Sequence, residues 1–368
     1  MLKNLTILGL FGLYDYKLDF QTSNIPTFIT GPNGYGKTTV LNIIDSLYRA
    51  DFEYLRKLPF STLYCTLESN NTDYHFHVVK VDGSLHNELS CDFLDITNDK
   101  VIETFKYPKE NPNAVSLFFH AEKHYYIKDQ RLTQTLEFDR HSRFNTVKLN
   151  AQHFEEYLER LQQSIKDNLQ VNQLQFTGAI TQDEYNKQKA LLIGKFQTLI
   201  RLKIMSFDIQ EYNEQNSMFL KATLDAYEKA YETNAEQIKR IEAFIDIISK
   251  YEFANKEMQI SMNYGFRFVA KNEYRSLLEL EQLSSGEQHI LVQVYELLFK
   301  APSDALILVD EPELSEHLAW QALYLRTMKK ILSLSKAQCI VSTHSPQVFE
   351  SNWDIAIDLY EQSKRHLI

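Results

Sequence analysis

The stretch Gly31-Pro-Asn-Gly-Tyr-Gly-Lys-Thr38 constrains this chain more than any other. A glycine, four residues and then Gly36-Lys37-Thr38 form a loop whose backbone N–H groups can turn onto phosphate oxygens. The preceding run, Ile25 to Thr30, reads as a short buried strand, and Thr39 to Tyr48 carries apolar residues at helical spacing. Strand, glycine loop and helix is the context a phosphate site needs, because the helix N-terminus adds a favourable dipole. A glycine turn that merely precedes a lysine would leave both flanks unexplained. Lys37 is expected to reach the β- and γ-phosphates of a nucleotide, and the Thr38 hydroxyl to ligate Mg²⁺. Asn33, Gly34, Gly36 and Thr39 complete the expected nucleotide contacts.

Three later segments make sense in relation to this loop. Ala305 to Val309 is a fully apolar strand that ends in Asp310-Glu311-Pro312. An aspartate at a strand tip beside the phosphate site can hold Mg²⁺, and the next carboxylate can act as general base on an attacking water. A second apolar strand ends in Ser342-Thr-His344-Ser-Pro346, which places His344 where it could bond a γ-phosphate. Finally, Leu283-Ser-Ser-Gly-Glu-Gln288 precedes an amphipathic helix and offers backbone N–H groups and the Ser284 hydroxyl to an anion. Since one chain already has its phosphate loop, this segment suggests a site shared between two chains. Equally, Ser284 or Ser285 followed by Glu287 or Gln288 also makes an ordinary helix cap.

The remaining chain suggests three segments. Residues 1–149 open with two alternating strands joined at Phe11-Gly12 and continue strand-rich, with Ser61–Glu68, Tyr74–Val81 and Val115–His120 as strand candidates. His75 and His77 share a face but have no third ligand nearby, so solvent-facing histidines are expected. Residues 150–257 read as a helical insertion, a hairpin or small bundle. Phe154, Leu158, Leu161 and Ile165 form a stripe, and Thr181 with Glu184 forms a capping box. Residues 258–368 return to strand and helix alternation.

Composition narrows the partners. A net charge of −10 argues against broad adhesion to nucleic acid, although a local basic groove stays open. Three scattered cysteines, Cys65, Cys91 and Cys339, have no zinc or redox spacing and suit a reducing cytoplasm. No window reaches membrane-spanning length, so no membrane partner is expected.

In this order, the P-loop, Leu-Ser-Ser-Gly-Glu-Gln, Asp-Glu-Pro-Glu and Ser-Thr-His-Ser resemble the motifs of ATP-binding-cassette (ABC) ATPases. The helical insertion brings the chain nearer the SMC, RecF and OLD branch than the transporters. The run Asp310 to Leu314 followed by His317 is similar to the OLD-like, "AAA-family" ATPases of bacterial anti-phage systems, including the ATPase subunits of the PARIS and Septu systems. The resemblance implies an α/β fold of ABC-ATPase head type: a P-loop domain with a mixed central sheet, an antiparallel β subdomain and a helical insertion. It implies ATP and Mg²⁺ as ligands, with Glu311 as catalytic base, His344 as γ-phosphate switch, and Thr38 and Asp310 at the metal. A homodimer or higher oligomer would place Ser284, Ser285 and Gly286 of one chain against Lys37 of the other. Ser315 would fall in the loop that communicates across the dimer, and Phe11 would contact the adenine. The signature's usual first glycine is Ser285, and the glutamine that couples Mg²⁺ to the helical lobe is unplaced, with Gln130, Gln134 and Gln152 nearby. Only about twenty residues follow His344, too few for the nuclease domain OLD proteins often carry. The expected role is therefore a sensor or regulatory ATPase acting on a separately encoded nuclease or toxin. A RecF- or SMC-like clamp in DNA repair is the alternative, and DNA is an open partner.

Overall fold

The structure is a computed structural model that describes all residues except 23, 82–87, 122–123, 129–130, 133–142, 171–173, 315–316 and 365–368. It divides into two compact units, residues 1–137 with 301–368, and residues 138–300. The expected segment 258–368 is thereby split between them at 300/301.

The first unit opens with strands β1 (Leu2–Leu10) and β2 (Tyr14–Asp19), followed by β3 (Thr27–Thr30) and helix α1 (Lys37–Tyr48). After α2 (Phe52–Lys57) come β4 (Thr62–Ser69), β5 (Thr72–Lys80), β6 (Leu89–Asp95) and β7 (Lys100–Tyr107). These form an antiparallel sheet in the order β2-β1-β4-β5-β6-β7. Alternation drives it. Leu63, Cys65, Phe76, Val78, Cys91 and Phe93 point inward, whereas Tyr64, His75 and His77 share the opposite face. His75 is hydrogen-bonded by the Tyr64 hydroxyl, and no group of three metal-ligating side chains occurs among the described residues. The turn at Asn70 and Asn71 has both residues at positive φ, a conformation asparagine tolerates.

Val115–His120 is not a strand. It lies in helix α3 (Ala114–Ala121), which precedes β8 (His124–Lys128) and β9 (Arg131–Leu132). The aromatic, β-branched composition suggested a strand. The deciding influence is distant: the Glu103 carboxylate on β7 accepts the N–H groups of Asn113 and Val115 at 2.7 and 2.8 Å. It caps the helix, while Val115 and Phe119, one turn apart, are both buried.

The second unit is built on α4 (Arg143–Asn168), α5 (Gln182–Arg201) and α6 (Ser217–Lys250). A hairpin of β10 (Lys256–Ser261) and β11 (Gly265–Ala270), extended by β12 (Leu277–Leu278), leads to α7 (Ser285–Phe299). Phe154 and Leu158 of α4 are buried with Ile241 and Phe244 of α6, Phe266 of β11 and Tyr295 of α7. Their rings lie edge-on or tilted: Phe154 is 5.5 Å from Phe244 and 5.8 Å from Tyr295. Gly265 permits this closeness. A Cβ there would fall 1.9 Å from the Ala151 carbonyl oxygen, and its φ of +65° is left-handed. At the start of α5, Thr181 and Glu184 form the expected reciprocal cap.

The chain re-enters the first unit with β13 (Leu306–Asp310), α8 (Leu318–Ser335), β14 (Gln338–Ser342), β15 (Ala356–Asp358) and α9 (Leu359–Lys364). These strands join β3, β8 and β9 in a second sheet, ordered β15-β3-β14-β13-β8-β9. It is parallel except for the β8–β9 pair, hence mixed. One buried cluster joins Ile43 and Ile44 of α1, Leu63 and Phe76 of the antiparallel sheet, and Leu308 and Ile340 of the mixed sheet. All three cysteines are buried, and burial pushes the Cys65 thiol up to about 12. Burial likewise raises the Cys91 and Cys339 thiols, which disfavours the thiolate form of all three.

Candidate functional site

Three neighbouring parallel strands, β3, β14 and β13, end at one edge of the mixed sheet. The register pairs Ile29 with Ser342 and Ser342 with Asp310, so the loops that follow each strand meet. Two bonds extend the ladder past the strand ends: Thr343 N–H donates to the Ile29 carbonyl and Glu311 N–H to the Ser342 carbonyl, both at 3.0 Å. Adjacent strands thus bring together residues from opposite ends of the chain. Ligands of open α/β sheets bind at such carboxyl edges.

The Gly31–Gly36 loop leads directly into α1, whose first residue is Lys37. Gly34 and Gly36 have φ of +88° and +85°, which side-chain-bearing residues rarely adopt. A Cβ on Gly34 would meet nothing within 4 Å, so the loop presents bare backbone, and Asn33 and Gly34 are exposed. On its inner side, a Cβ on Gly36 would lie 3.5 Å from Phe11, which itself sits at φ +56°. Phe11, 39% exposed, thus lies beside the phosphate loop.

Lys37 is buried, and its ammonium donates to the Gly31 and Pro32 carbonyls at 2.9 and 3.3 Å. It also lies 3.2 Å from His344 Nδ1, while His344 Nε2 lies 3.0 Å from Glu311 Oε1. An ammonium only donates, so Nδ1 accepts and the ring proton sits on Nε2, facing the Glu311 carboxylate. Burial holds the Lys37 pKa below its usual value, against the opposing pull of Glu311, Asp310 and Glu313. Thr38 Oγ1 donates to Asp310 Oδ1 at 3.3 Å, and the Ser342 hydroxyl bonds the same oxygen. Asp310 is only 3% exposed.

These donors suit a phosphate chain and a hard dication. Hydroxyl and carboxylate oxygens converge at Thr38 and Asp310, and bare loop backbone lies next to them. Thr38 and Asp310 would hold Mg²⁺, with phosphate and water oxygens supplying the rest of its shell.

Lys37, Thr38, Asp310, Glu311 and His344 therefore come together, with Phe11 alongside and Thr39 in the first turn of α1. Ser284, Ser285 and Gly286 belong to the other unit. There Ser284 is the N-cap of α7: its Oγ accepts Glu287 N–H at 3.3 Å, and Glu287 Oε2 accepts Ser284 N–H at 2.6 Å. Glu287 is buried and also paired with Lys256 at 2.6 Å. The helix-cap reading of this segment is thus realised, which leaves its anion-binding reading open. Gln152 is exposed on α4, while Ser315, Gln130 and Gln134 lie outside the described residues.

Two further participants, Ser342 and Glu313, are not assigned a role by the motifs that contain them. The only signal each carries in the sequence is position. Ser342 ends a strand beside a strand-end aspartate, and Glu313 follows a carboxylate by two residues.

The family described as "AAA ATPase domain" matches residues 1–349. Protein ea59 of Escherichia phage lambda is 29% identical over 109 residues, covering 29% of this chain. That match spans only 20% of ea59's own length. An Smc head domain with an extended coiled coil, bound to the C-terminal domain of ScpA and derived from Pyrococcus furiosus, aligns over 95% of this chain and 90% of its own at 14% identity, with a TM-score of 0.39. An SmcHead bound to the C-winged helix domain of ScpA aligns over 94% and 90%, respectively, at 12% identity with the same TM-score. Likenesses this loose carry no functional argument.

Proposed function

Because this chain belongs to the AAA ATPase domain family, we propose that it binds ATP with Mg²⁺ at the carboxyl edge of the mixed sheet and hydrolyses it there. The supporting observation is the hydrogen-bonded series Lys37–His344–Glu311, set beside the Thr38–Asp310 contact. In this reading Lys37 leaves the Gly31 and Pro32 carbonyls for the β- and γ-phosphate oxygens, which strips His344 of its donor. His344 then turns to the γ-phosphate and releases the Glu311 carboxylate to accept a proton from the attacking water. Bound Mg²⁺ supplies charge neutralisation between the β- and γ-phosphates. Phe11 offers its exposed ring to the adenine.

Beyond the chemistry, we read the chain as one half of an ATP-dependent homodimer in which Ser284, Ser285 and Gly286 close over the partner's nucleotide. Its motif order and the run from Asp310 to His317 support a sensor ATPase of an anti-phage system that controls a separately encoded effector. The test uses the Glu311→Gln chain. It should bind ATP normally and turn over at least about a hundredfold more slowly, the usual scale for loss of a general base. Loaded with ATP and Mg²⁺ and recovered from its native host, it should carry a stoichiometric protein partner and little nucleic acid. Undiminished turnover would place the base elsewhere, and recovery of DNA without a protein partner would favour the repair-clamp reading.

A further inference from the structure

Glu313 stands out because its carboxylate lies at the junction of two loops, yet nothing in the hydrolysis scheme uses it. Glu311 adopts a left-handed φ of +48° as the chain leaves β13. Leu314 N–H then donates back to the Glu311 carbonyl at 3.2 Å, closing a turn with Pro312 and Glu313 at its centre. Proline favours the second position of such a turn by pre-setting its φ. The turn carries the Glu313 side chain to the other loop, where Oε1 accepts the backbone N–H of His344 at 2.6 Å.

The backbone donors of that second loop are each satisfied in turn. Thr343 N–H goes to the Ile29 carbonyl at 3.0 Å, and Ser345 N–H to Thr343 Oγ1 at 3.0 Å. His344 N–H is the first donor past the sheet ladder and is met by Glu313. That bond ties the backbone carrying His344 to the turn carrying Glu311, and so bears directly on the 3.0 Å contact between the two side chains. The second oxygen, Oε2, is buried and has no hydrogen-bond partner among the described residues. The Glu313 carboxylate thus joins the two loops that carry His344 and Glu311.

We propose that Glu313 is a positioning residue for ATP hydrolysis: by holding the His344 backbone, it fixes the pivot from which the His344 ring passes from Glu311 to the γ-phosphate. Its effect is exerted through His344. The inference rests on the ATPase reading above, and the two can fail separately.

The test compares steady-state ATP hydrolysis and ATP affinity of the full chain with those of Glu313→Ala, Glu313→Gln and Glu313→Asp. Glutamine keeps an oxygen at the same reach, aspartate keeps the charge but falls short, and alanine keeps neither. Expected are a kcat about tenfold lower for alanine with KM for ATP changed less than about threefold, the mark of an interaction that matters after binding. Glutamine should retain more activity than aspartate. If the alanine variant does not fold, as judged by circular dichroism, the glutamine–aspartate order carries the test alone. A wild-type kcat in Glu313→Ala would overturn the proposal, and so would aspartate outperforming glutamine, since charge rather than reach would then be what counts. A wild-type chain that neither binds nor hydrolyses ATP would instead overturn the ATPase reading, and this inference with it.

Discussion

At the scale of single residues, the site depends on short polar contacts made by side chains that are themselves immobilised. Lys37 illustrates this: it is buried at the start of α1, and the loop carbonyls already hold its ammonium in place. Lys37→Ala should therefore abolish detectable ATP binding by titration calorimetry while leaving the fold intact, because the lysine's bonds go to loop carbonyls that water can serve. Unchanged affinity would remove Lys37 from the site. Most of these residues are legible in the sequence itself, since glycine spacing and strand-end acids are local signals. Glu313 is not, because its partner is a backbone N–H 31 residues away, and no local pattern encodes that.

At the scale of elements, the outcome depended on whether each segment's own preferences or its neighbours decided. Alternating strands and striped helices formed where periodicity placed them. Helix α3 went the other way, because the Glu103 carboxylate and a buried apolar face outweighed a modest strand propensity. The β11–α4 contact is another case, since Gly265 admits the Ala151 carbonyl where any side chain would collide. Gly265→Ala adds a steric clash to a left-handed φ, and should destabilise the protein by about 3 kcal/mol or more, combining the overpacking and backbone costs. Denaturant titration would measure it, and a loss below about 1 kcal/mol would show that β11 can slide off α4 freely.

At the scale of the whole molecule, the question is whether two chains complete each other's nucleotide sites. Ser284 caps α7, so replacing it has a structural cost regardless of any partner. Ser284→Ala should lose about 1 kcal/mol of stability and weaken, without abolishing, the ATP-driven dimer, because the backbone N–H groups of the segment remain. Ser284→Arg should lose the same cap and also block the ATP-driven dimer, while binding ATP like the wild type. Light scattering of Glu311→Gln chains that carry either change, with ATP and Mg²⁺, separates the two. A dimer that survives arginine would exclude the signature segment from the interface. Among the described residues no helix is long and apolar enough to cross a membrane.

By itself the sequence determined the α/β class, the phosphate loop between its strand and helix, the paired acids after a buried strand, and the cap at Thr181. Each is written in a short window, where glycine, periodicity and capping chemistry act locally. Tertiary structure alone decided that Asp310, Ser342 and Thr38 share one carboxylate oxygen and that Glu313 reaches the His344 backbone. It also decided that a distant carboxylate starts α3. The reason is the same throughout: strand order and register are properties of the sheet. A hydrogen bond between residues far apart in the chain forms only after neighbouring strands have chosen each other.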